Sequence, residues 1–149
     1  MGNLDALSVA RYFVELSATS DENDLTNLKL QKMLYFAQCK YLAQEGKPLF
    51  DDGIEAWEYG PVVRAVYSEY KKCGAFPITA FDDVHLPSSG KPLPKSIKAV
   101  LEEVWKKFGR YSASYLVSLT HKQGGPWKRY YEEGANAMIP LSALKAVGE

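Results

Sequence analysis

The segment from Leu25 to Pro48 constrains the fold more than any other part of the sequence. Apolar side chains recur at helical spacing after Thr26, and Gly46 together with Pro48 supplies a helix stop. Threonine is a favourable N-cap because its side-chain oxygen accepts a backbone N–H of the first turn. The segment therefore predicts one long helix. Its apolar face would carry Leu30, Met33, Leu34, Ala37 and Tyr41, and its other faces Lys29, Lys32, Gln38 and Gln44.

Further helices are predicted on both sides of this segment. Apolar residues recur at helical spacing in Leu4–Ser17 and in Lys95–Phe108. Ser112 is predicted to cap another helix, and Pro126 to begin a short one as its first residue. A chain of 149 residues can bury enough surface for its own core, so we expect one domain over residues 1–149.

A small β element is predicted beside the long helix. Apolar and aromatic residues alternate at 54–58, as in a short strand, and residues 77–81 are a second candidate strand. Between them, Gly60 and Pro61 are predicted to begin a helix, with glycine as the N-cap and proline at the first position. The predicted fold class is therefore mainly α, a compact helical bundle with a short hairpin or two-stranded sheet.

Charge and hydropathy exclude several function classes. Lys plus Arg and Asp plus Glu number 18 each, and this zero net charge argues against a histone-like binder of nucleic acid. No stretch reaches the roughly 20 apolar residues of a membrane span, and no signal peptide is visible. We therefore predict a cytoplasmic protein without a membrane partner. A solvated acidic rim is predicted for Asp51, Asp52, Glu55 and Glu58.

The sequence offers little for metal binding or catalysis. Cys39, Cys73, His85 and His121 are spaced too widely for a structural zinc site, which uses close ligand pairs. Nucleophile-elbow, phosphate-loop and metalloprotease motifs are absent. We predict no metal, no cofactor and no enzyme, because no nucleophile with a supporting acid can be placed beside His121. An enzyme centred on this histidine is the weakest alternative.

A basic stretch at 106–129 suggests a different function. No acidic residue occurs at 104–131, and aromatic residues alternate with the basic ones, as single-strand binding requires. However, Lys106 and Lys107 each follow a glutamate by four residues, and we expect these pairs to form ion pairs. A solvated basic face is the main interpretation. A nucleic-acid-binding regulator that uses this face is the alternative function.

Aromatic residues are unusually frequent. Ten tyrosines and three tryptophans exceed what a core of this size must hold. Both residue types combine a large rigid surface with a polar group, and they are enriched at protein interfaces. Trp57, Tyr59 and Tyr67 flank the predicted corner between strand and helix. This corner either packs in the core or borders a partner-binding face, and the residues alone leave both possibilities open.

Three sequence strings carry a family resemblance. They are LTNLKLQKMLYFAQ at 25–38, PLFDD followed by IEAWEYGPVV and VY at 48–67, and LTH followed by PWK at 119–128. In this order they closely resemble the Panacea domain, also called the SocA-like or phage-associated GepA family. The resemblance covers roughly residues 5–145. The family's motif positions are Leu30, Lys32, Tyr35, Phe36, Trp57, Tyr59, Gly60, Pro61, Tyr67, His121, Pro126 and Trp127.

The resemblance implies an antitoxin that neutralises a protein toxin encoded nearby by direct contact. We expect occlusion of the toxin's active surface, with delivery of the toxin to a cytosolic protease as the alternative, and the sequence identifies neither the toxin nor the oligomeric state. No catalytic residues follow from it. We expect partner binding at Trp57, Tyr59, Arg64, Tyr67, His121 and Trp127. Fold-specifying roles are expected for Leu30, Lys32, Tyr35, Gly60 and Pro61.

Overall fold

The computed structural model describes residues 4–20, 24–78, 93–122 and 125–148. Within these ranges the fold is mainly helical with one small antiparallel sheet, as predicted. The helices are α1 (Ala6–Ala18), α2 (Asn27–Glu45), α3 (Arg64–Tyr70), α4 (Lys95–Phe108), α5 (Ala113–Thr120), α6 (Pro126–Tyr130) and α7 (Leu141–Gly148). The strands are β1 (Glu55–Trp57), β2 (Gly60–Val62) and β3 (Ala137–Met138). None of the described helices is both long and apolar enough to cross a bilayer.

Helix α2 lies at the centre of the fold. It packs against α1, α3, α4, α5, α7 and β2. Thr26 is its N-cap, as predicted, and the threonine side chain accepts the N–H of Lys29. Gly46 ends the helix in the left-handed conformation, with φ 74°. The predicted apolar face is buried, and the core is built around it.

Several polar side chains of α2 are buried as well, which the apolar spacing does not predict, whereas Gln44 is exposed. Lys29, Lys32 and Gln38 are all inaccessible to solvent, and Asn27 and Gln31 are nearly so. A buried polar group without a hydrogen bond costs free energy, so such groups need partners. In α2 the partners are distant in sequence, and most of them are backbone groups of irregular segments.

Two of these side chains illustrate the pattern. Gln38 holds the segment that leads to β1: its amide oxygen accepts the Leu49 N–H at 2.7 Å, and its amide nitrogen donates to the Phe50 carbonyl at 3.0 Å. Lys29 Nζ donates to the Asp24 carboxylate at 2.7 Å and to the backbone carbonyl of Gly109, directly after α4, at 2.6 Å. The polar residues of α2 thus fix loops against the core.

The prediction that Gly60 and Pro61 begin a helix is wrong. They form β2, which pairs with β1 in an antiparallel hairpin, and α3 begins only at Arg64. Gly60 has φ 111°, a conformation that glycine adopts easily and other residues rarely do. A Cβ atom on Gly60 would also lie 2.7 Å from Lys32 Cε and 2.8 Å from Thr120 Oγ1. Glycine is therefore required by the hairpin rather than by a helix cap.

The sheet also differs from the prediction in the strands that pair with β1. Its order is β2-β1-β3, so β1 is central and pairs with the late strand β3. The candidate strand at 77–81 lies mostly outside the described residues, and its described part, Pro77 and Ile78, is not in a strand. Instead, the Ile78 N–H donates to the Leu25 carbonyl at 2.8 Å, which ties this segment to the start of α2.

The remaining helices agree closely with their predicted positions. Helix α4 has its predicted bounds and buries Ile97, Leu101 and Val104. Ser112 caps α5 by accepting the N–H of Tyr115, and proline occupies the first position of α6. These ends are set by caps and stops within a few residues of each helix, so the sequence alone locates them.

Candidate functional site

The hairpin, α3 and the start of α2 border a surface groove of about 480 Å³. Its lining includes Leu28, Gln31, Trp57, Glu58, Tyr59, Val62, Tyr67 and Lys71. We call this the hairpin groove. Tyr59 is 63% exposed at the tip of the hairpin, and Leu28 is also exposed. The groove therefore presents apolar and aromatic surface to solvent.

The aromatic side chains of the groove form a defined cluster. The rings of Trp57 and Tyr67 meet edge to face, with centroids 5.0 Å apart and planes at 61°. The guanidinium of Arg64 lies 5.4 Å from the centre of the Trp57 ring, in cation–π geometry. Tyr59 lies on the same hairpin as Trp57. The structure thus brings together four predicted site residues: Trp57, Tyr59, Arg64 and Tyr67.

Glu55 holds this cluster in place, and its assignment to a solvated acidic rim is wrong. The carboxylate is buried and accepts Trp57 Nε1–H at 3.1 Å. It also accepts two hydrogen bonds from Arg64, at 2.7 and 3.1 Å. These bonds, chiefly those from the guanidinium, lower the pKa of Glu55 below its ordinary value. The guanidinium that lies against Trp57 is therefore already paired with a carboxylate.

Two polar residues of α2 attach the groove to the core, and neither was predicted to be a site residue. Gln31 accepts the Val63 N–H at 2.9 Å and donates to the Asn27 side chain at 2.9 Å. Asn27 in turn donates to the Tyr67 carbonyl at 3.1 Å. Both residues lie inside the first family string, but neither belongs to a recognisable motif. Only the fold brings them to the base of the groove.

Lys32 secures the second strand of the hairpin. Its Nζ donates to the Pro61 carbonyl at 3.0 Å, and the side chain is fully buried. Burial lowers the pKa of Lys32 to about 7. Within the described residues no carboxylate forms an ion pair with it, so its charge is not compensated. Lys32, Gly60 and Pro61 thus meet at one point, beside Thr120.

Trp127 and His121 lie behind the hairpin rather than on the groove. Trp127 is only 5% exposed, and its Nε1–H donates to the Trp57 carbonyl at 2.6 Å. The imidazole of His121 stacks on the Trp127 ring with centroids 3.7 Å apart. Leu30 and Tyr35, the other expected fold residues, lie in the core. The structure therefore separates the six predicted partner-binding residues into four at the groove and two beneath it.

His121 lacks the partners that a catalytic base would need. Its Nε2 is buried and has no hydrogen-bond partner among the described residues. Burial lowers the pKa of His121, and the charges of Lys32 and Lys128 lower it further. A general base in a triad is usually oriented by a carboxylate. No such carboxylate bonds to His121 in the described part of the chain.

The basic stretch borders a second cavity, of about 410 Å³. Its lining includes Tyr35, Phe36, Lys107, Phe108, Arg110, Tyr111, Tyr115, Leu119, Thr120 and Lys122. We call this the basic cavity. The ion pairs predicted along α4 do not form: Glu103 pairs with Lys40 of α2 at 3.0 Å, and Glu102 accepts the hydroxyl of Tyr12. Lys107 thus has no carboxylate partner in the described residues.

The candidate metal ligands are not gathered in the described part of the chain. Cys39 and Cys73 are both buried thiols. His85 lies outside the described residues. Within the described ranges no group of three or more histidine, cysteine or acidic side chains is arranged to hold an ion.

Comparison with known proteins identifies the family. The sequence profile described as "Antitoxin SocA-like, Panacea domain" matches residues 30–128. The chain belongs to this family. The chain is also 36% identical over 132 residues to Antitoxin SocA of Caulobacter vibrioides (strain NA1000 / CB15N), covering 84% of this chain and 69% of the relative. No solved structure gives a significant match.

The Panacea domain match includes most of the residues that line the two cavities. It runs from the first turn of α2 to the middle of α6, and so spans the hairpin, α3, α4 and α5. The resemblance carried by the three strings is thereby confirmed. Membership in an antitoxin family suggests a role that is not enzymatic.

Proposed function

We propose that this chain is an antitoxin that neutralises a protein toxin encoded nearby by binding it at the hairpin groove. The family and the relative named Antitoxin SocA support the antitoxin role. The observation that carries the docking site is Tyr59. This large aromatic side chain is 63% exposed, although the hairpin that bears it is fixed to the core on its other side.

The chemistry of the groove suits a protein partner. Tryptophan, tyrosine and arginine are the residues most enriched at binding hot spots. Trp57, Tyr59 and Tyr67 line the groove, and Arg64 lies against the Trp57 ring. Arg64 is paired with Glu55, so covering it leaves no unpaired guanidinium. Glu58 and Lys71 of the lining offer one charge of each sign to a partner. Trp57 and Arg64 are also held by hydrogen bonds, which reduces the entropy lost when they bind.

Trp127 and His121 have a supporting role in this proposal. Trp127 fixes the end of β1 through its hydrogen bond to the Trp57 carbonyl, and His121 covers one face of the Trp127 ring. They position the hairpin without contacting the toxin. Their substitution would therefore weaken toxin binding through the fold, and this would be accompanied by lower stability.

The test uses two exposed tyrosines in a growth-rescue assay with the neighbouring toxin gene. Tyr59→Ala removes the exposed ring of the groove, and we expect toxin affinity to fall by about 30-fold or more, as for a hot-spot residue. Tyr115→Ala is the matched control, because Tyr115 is 46% exposed but lines the basic cavity. It should bind and rescue normally. Equal affinity for both variants would contradict docking at the hairpin groove.

The same strains distinguish the two mechanisms of neutralisation. If the antitoxin occludes the toxin, growth is rescued while the amount of toxin stays constant. If it delivers the toxin to a protease, the toxin disappears, and removal of the protease restores it. An immunoblot of the toxin during rescue measures the difference. The neutralisation proposal itself fails if no neighbouring gene product is toxic or bound.

The regulator alternative makes a different prediction for the same protein. A regulator would bind a specific DNA site at physiological salt and would not rescue growth. Phosphate contacts make such binding strongly salt-dependent, with a log–log slope of about −0.9 per contact on duplex DNA. A toxin complex held by desolvated aromatic side chains should be far less sensitive to salt.

A further inference from the structure

We propose that the basic cavity binds a mononucleotide, with its base stacked on the aromatic lining and its phosphate held by the lining cations. This site is separate from the hairpin groove, because none of the described lining residues is shared between the two. It therefore does not depend on the toxin-binding proposal.

The charge of the cavity selects an anion. Lys107, Arg110 and Lys122 line it, and none of its described lining residues is acidic. The two glutamates of α4 near Lys107 have other partners: Glu102 accepts a hydrogen bond from Tyr12 of α1, and Glu103 pairs with Lys40 of α2. Three cations thus line one cavity that has no acidic residue among its described lining, and a phosphate group would supply the counter-charge.

The cations are held by aromatic rings rather than by carboxylates. The Arg110 guanidinium lies 5.0 Å from the centre of the Tyr111 ring and donates to the Tyr111 hydroxyl at 3.0 Å. The Lys107 ammonium lies 5.2 Å from the centre of the Phe108 ring. Cation–π contacts orient a charged group without neutralising it. Both cations therefore keep their charge for a ligand.

The aromatic side chains provide a surface for a planar base. Tyr111 and Tyr115 pack with ring centroids 4.7 Å apart, and Tyr115 is 46% exposed. Phe36 and Phe108 also line the cavity, and their rings stack with centroids 4.1 Å apart. All nucleobases can stack on such rings, because every base has an aromatic face.

The size of the cavity favours a single nucleotide over a strand. Its volume of about 410 Å³ falls in the range of about 300–1,000 Å³ that is typical of small-molecule sites. A single-stranded nucleic acid instead needs a groove that follows several phosphates. The three lining cations suffice for one phosphate group. A mononucleotide therefore matches both the volume and the charge.

The experiment measures binding to the purified full chain by titration calorimetry at low and physiological salt. The probes are AMP, adenosine, inorganic phosphate and a twelve-residue oligodeoxyadenylate. We expect AMP to bind most tightly, more weakly at higher salt, and at least ten times more tightly than adenosine or phosphate. Phosphate binding equal to AMP binding would refute the base contact. Tighter binding of the oligonucleotide would assign the cavity to nucleic-acid strands, and no binding of AMP at millimolar concentration would overturn the proposal.

A pair of matched variants locates the site. Arg110→Glu should reduce AMP affinity at least tenfold, and so should Lys122→Glu, which provides an independent check because both side chains are exposed. Arg129→Glu is the control, because Arg129 also stacks on the following tyrosine, at 5.4 Å, but lies outside the cavity. Equal losses for Arg110→Glu and Arg129→Glu would show that AMP responds only to overall charge, and would overturn the site.

Discussion

The hairpin groove and the basic cavity are both rich in aromatic residues, but they differ in the state of their charges. In the groove, Arg64 stacks on Trp57 and is also paired with the buried carboxylate of Glu55. In the cavity, Arg110 stacks on Tyr111 in the same way, but no described carboxylate pairs with it. Aromatic content alone therefore does not indicate what a surface binds. Arg64 has a carboxylate partner and Arg110 has none among the described residues, and on this difference we propose a protein for the groove and an anion for the cavity.

The two regions also differ in what supports them. The groove is attached to α2 through hydrogen bonds to the backbone, made by Gln31, Asn27 and Lys32. The wall of the cavity is held by ring stacking, such as that of Phe36 on Phe108. Substitutions beneath the groove should therefore lower both stability and toxin binding, whereas exposed substitutions at the cavity should leave both unchanged.

The largest expected effect is on the support beneath the hairpin. Trp127→Ala removes a buried ring and the hydrogen bond to the Trp57 carbonyl, and should lower the free energy of unfolding by about 3–5 kcal/mol. Urea unfolding measures this change. Tyr115→Ala, at the exposed side of the cavity, should stay within about 0.5 kcal/mol of the unsubstituted protein. Similar losses for the two variants would show that the two regions are supported alike.

A smaller effect is expected from the buried network of α2. Gln31→Ala leaves the Val63 N–H without its acceptor, and should cost about 1–3 kcal/mol of unfolding free energy. It should also weaken toxin binding, because α3 carries Tyr67. Gln44→Ala, at an exposed position of the same helix, is the matched control and should change neither property. Equal unfolding free energies and equal toxin affinities for Gln31→Ala and Gln44→Ala would show that the buried network does not support the groove.

The smallest effect is a dependence of stability on pH. The pKa of Lys32 is lowered to about 7 in the folded protein, against an ordinary value of 10.5. Between pH 7 and pH 10.5 the Lys32 side chain binds a proton in the unfolded chain but not in the folded chain. The free energy of unfolding therefore rises with pH over this range and falls as the pH is lowered. From pH 7 to 8.5 the gain should be about 1.5 kcal/mol.

Comparison with Lys32→Met isolates this contribution from other titrating groups. The methionine variant has no charge to bury, so its unfolding free energy should lack the rise that Lys32 produces over this pH range. The range begins above the pH at which His121 titrates, because burial lowers the pKa of that histidine. Parallel pH profiles for the two proteins would mean that Lys32 stays charged inside the fold.

The parts of the fold that were predictable depend on local signals. Thr26 and Ser112 cap their helices with side chains that reach only three residues ahead, so the sequence shows both donor and acceptor. Gly60 and Pro61 are ambiguous because the same pair suits a helix start and the second strand of a tight hairpin. In the folded chain the side chains of Lys32 and Thr120 lie so close to Gly60 that a Cβ atom would clash with them, and this contact is not visible in the local sequence.

The candidate site was predictable only in part, for a related reason. The excess of aromatic residues pointed to Trp57, Tyr59 and Tyr67. However, the pairing of Arg64 with Glu55 depends on the turn between the strands. The engagement of Glu103 by Lys40 depends on the packing of α4 against α2, and this contact leaves Lys107 without the expected partner. Contacts between elements thus decided which surface is neutral and which is basic.

Hydrogen–deuterium exchange of the full chain, with and without the neighbouring toxin, tests the central claim most directly. The account predicts that the toxin slows exchange at residues 57–67, in the hairpin and α3, and leaves residues 107–122 unchanged. A saturating concentration of AMP should slow exchange at residues 107–122 and leave residues 57–67 unchanged. Toxin protection confined to residues 107–122, with no change in the hairpin, would contradict the assignment of the docking surface.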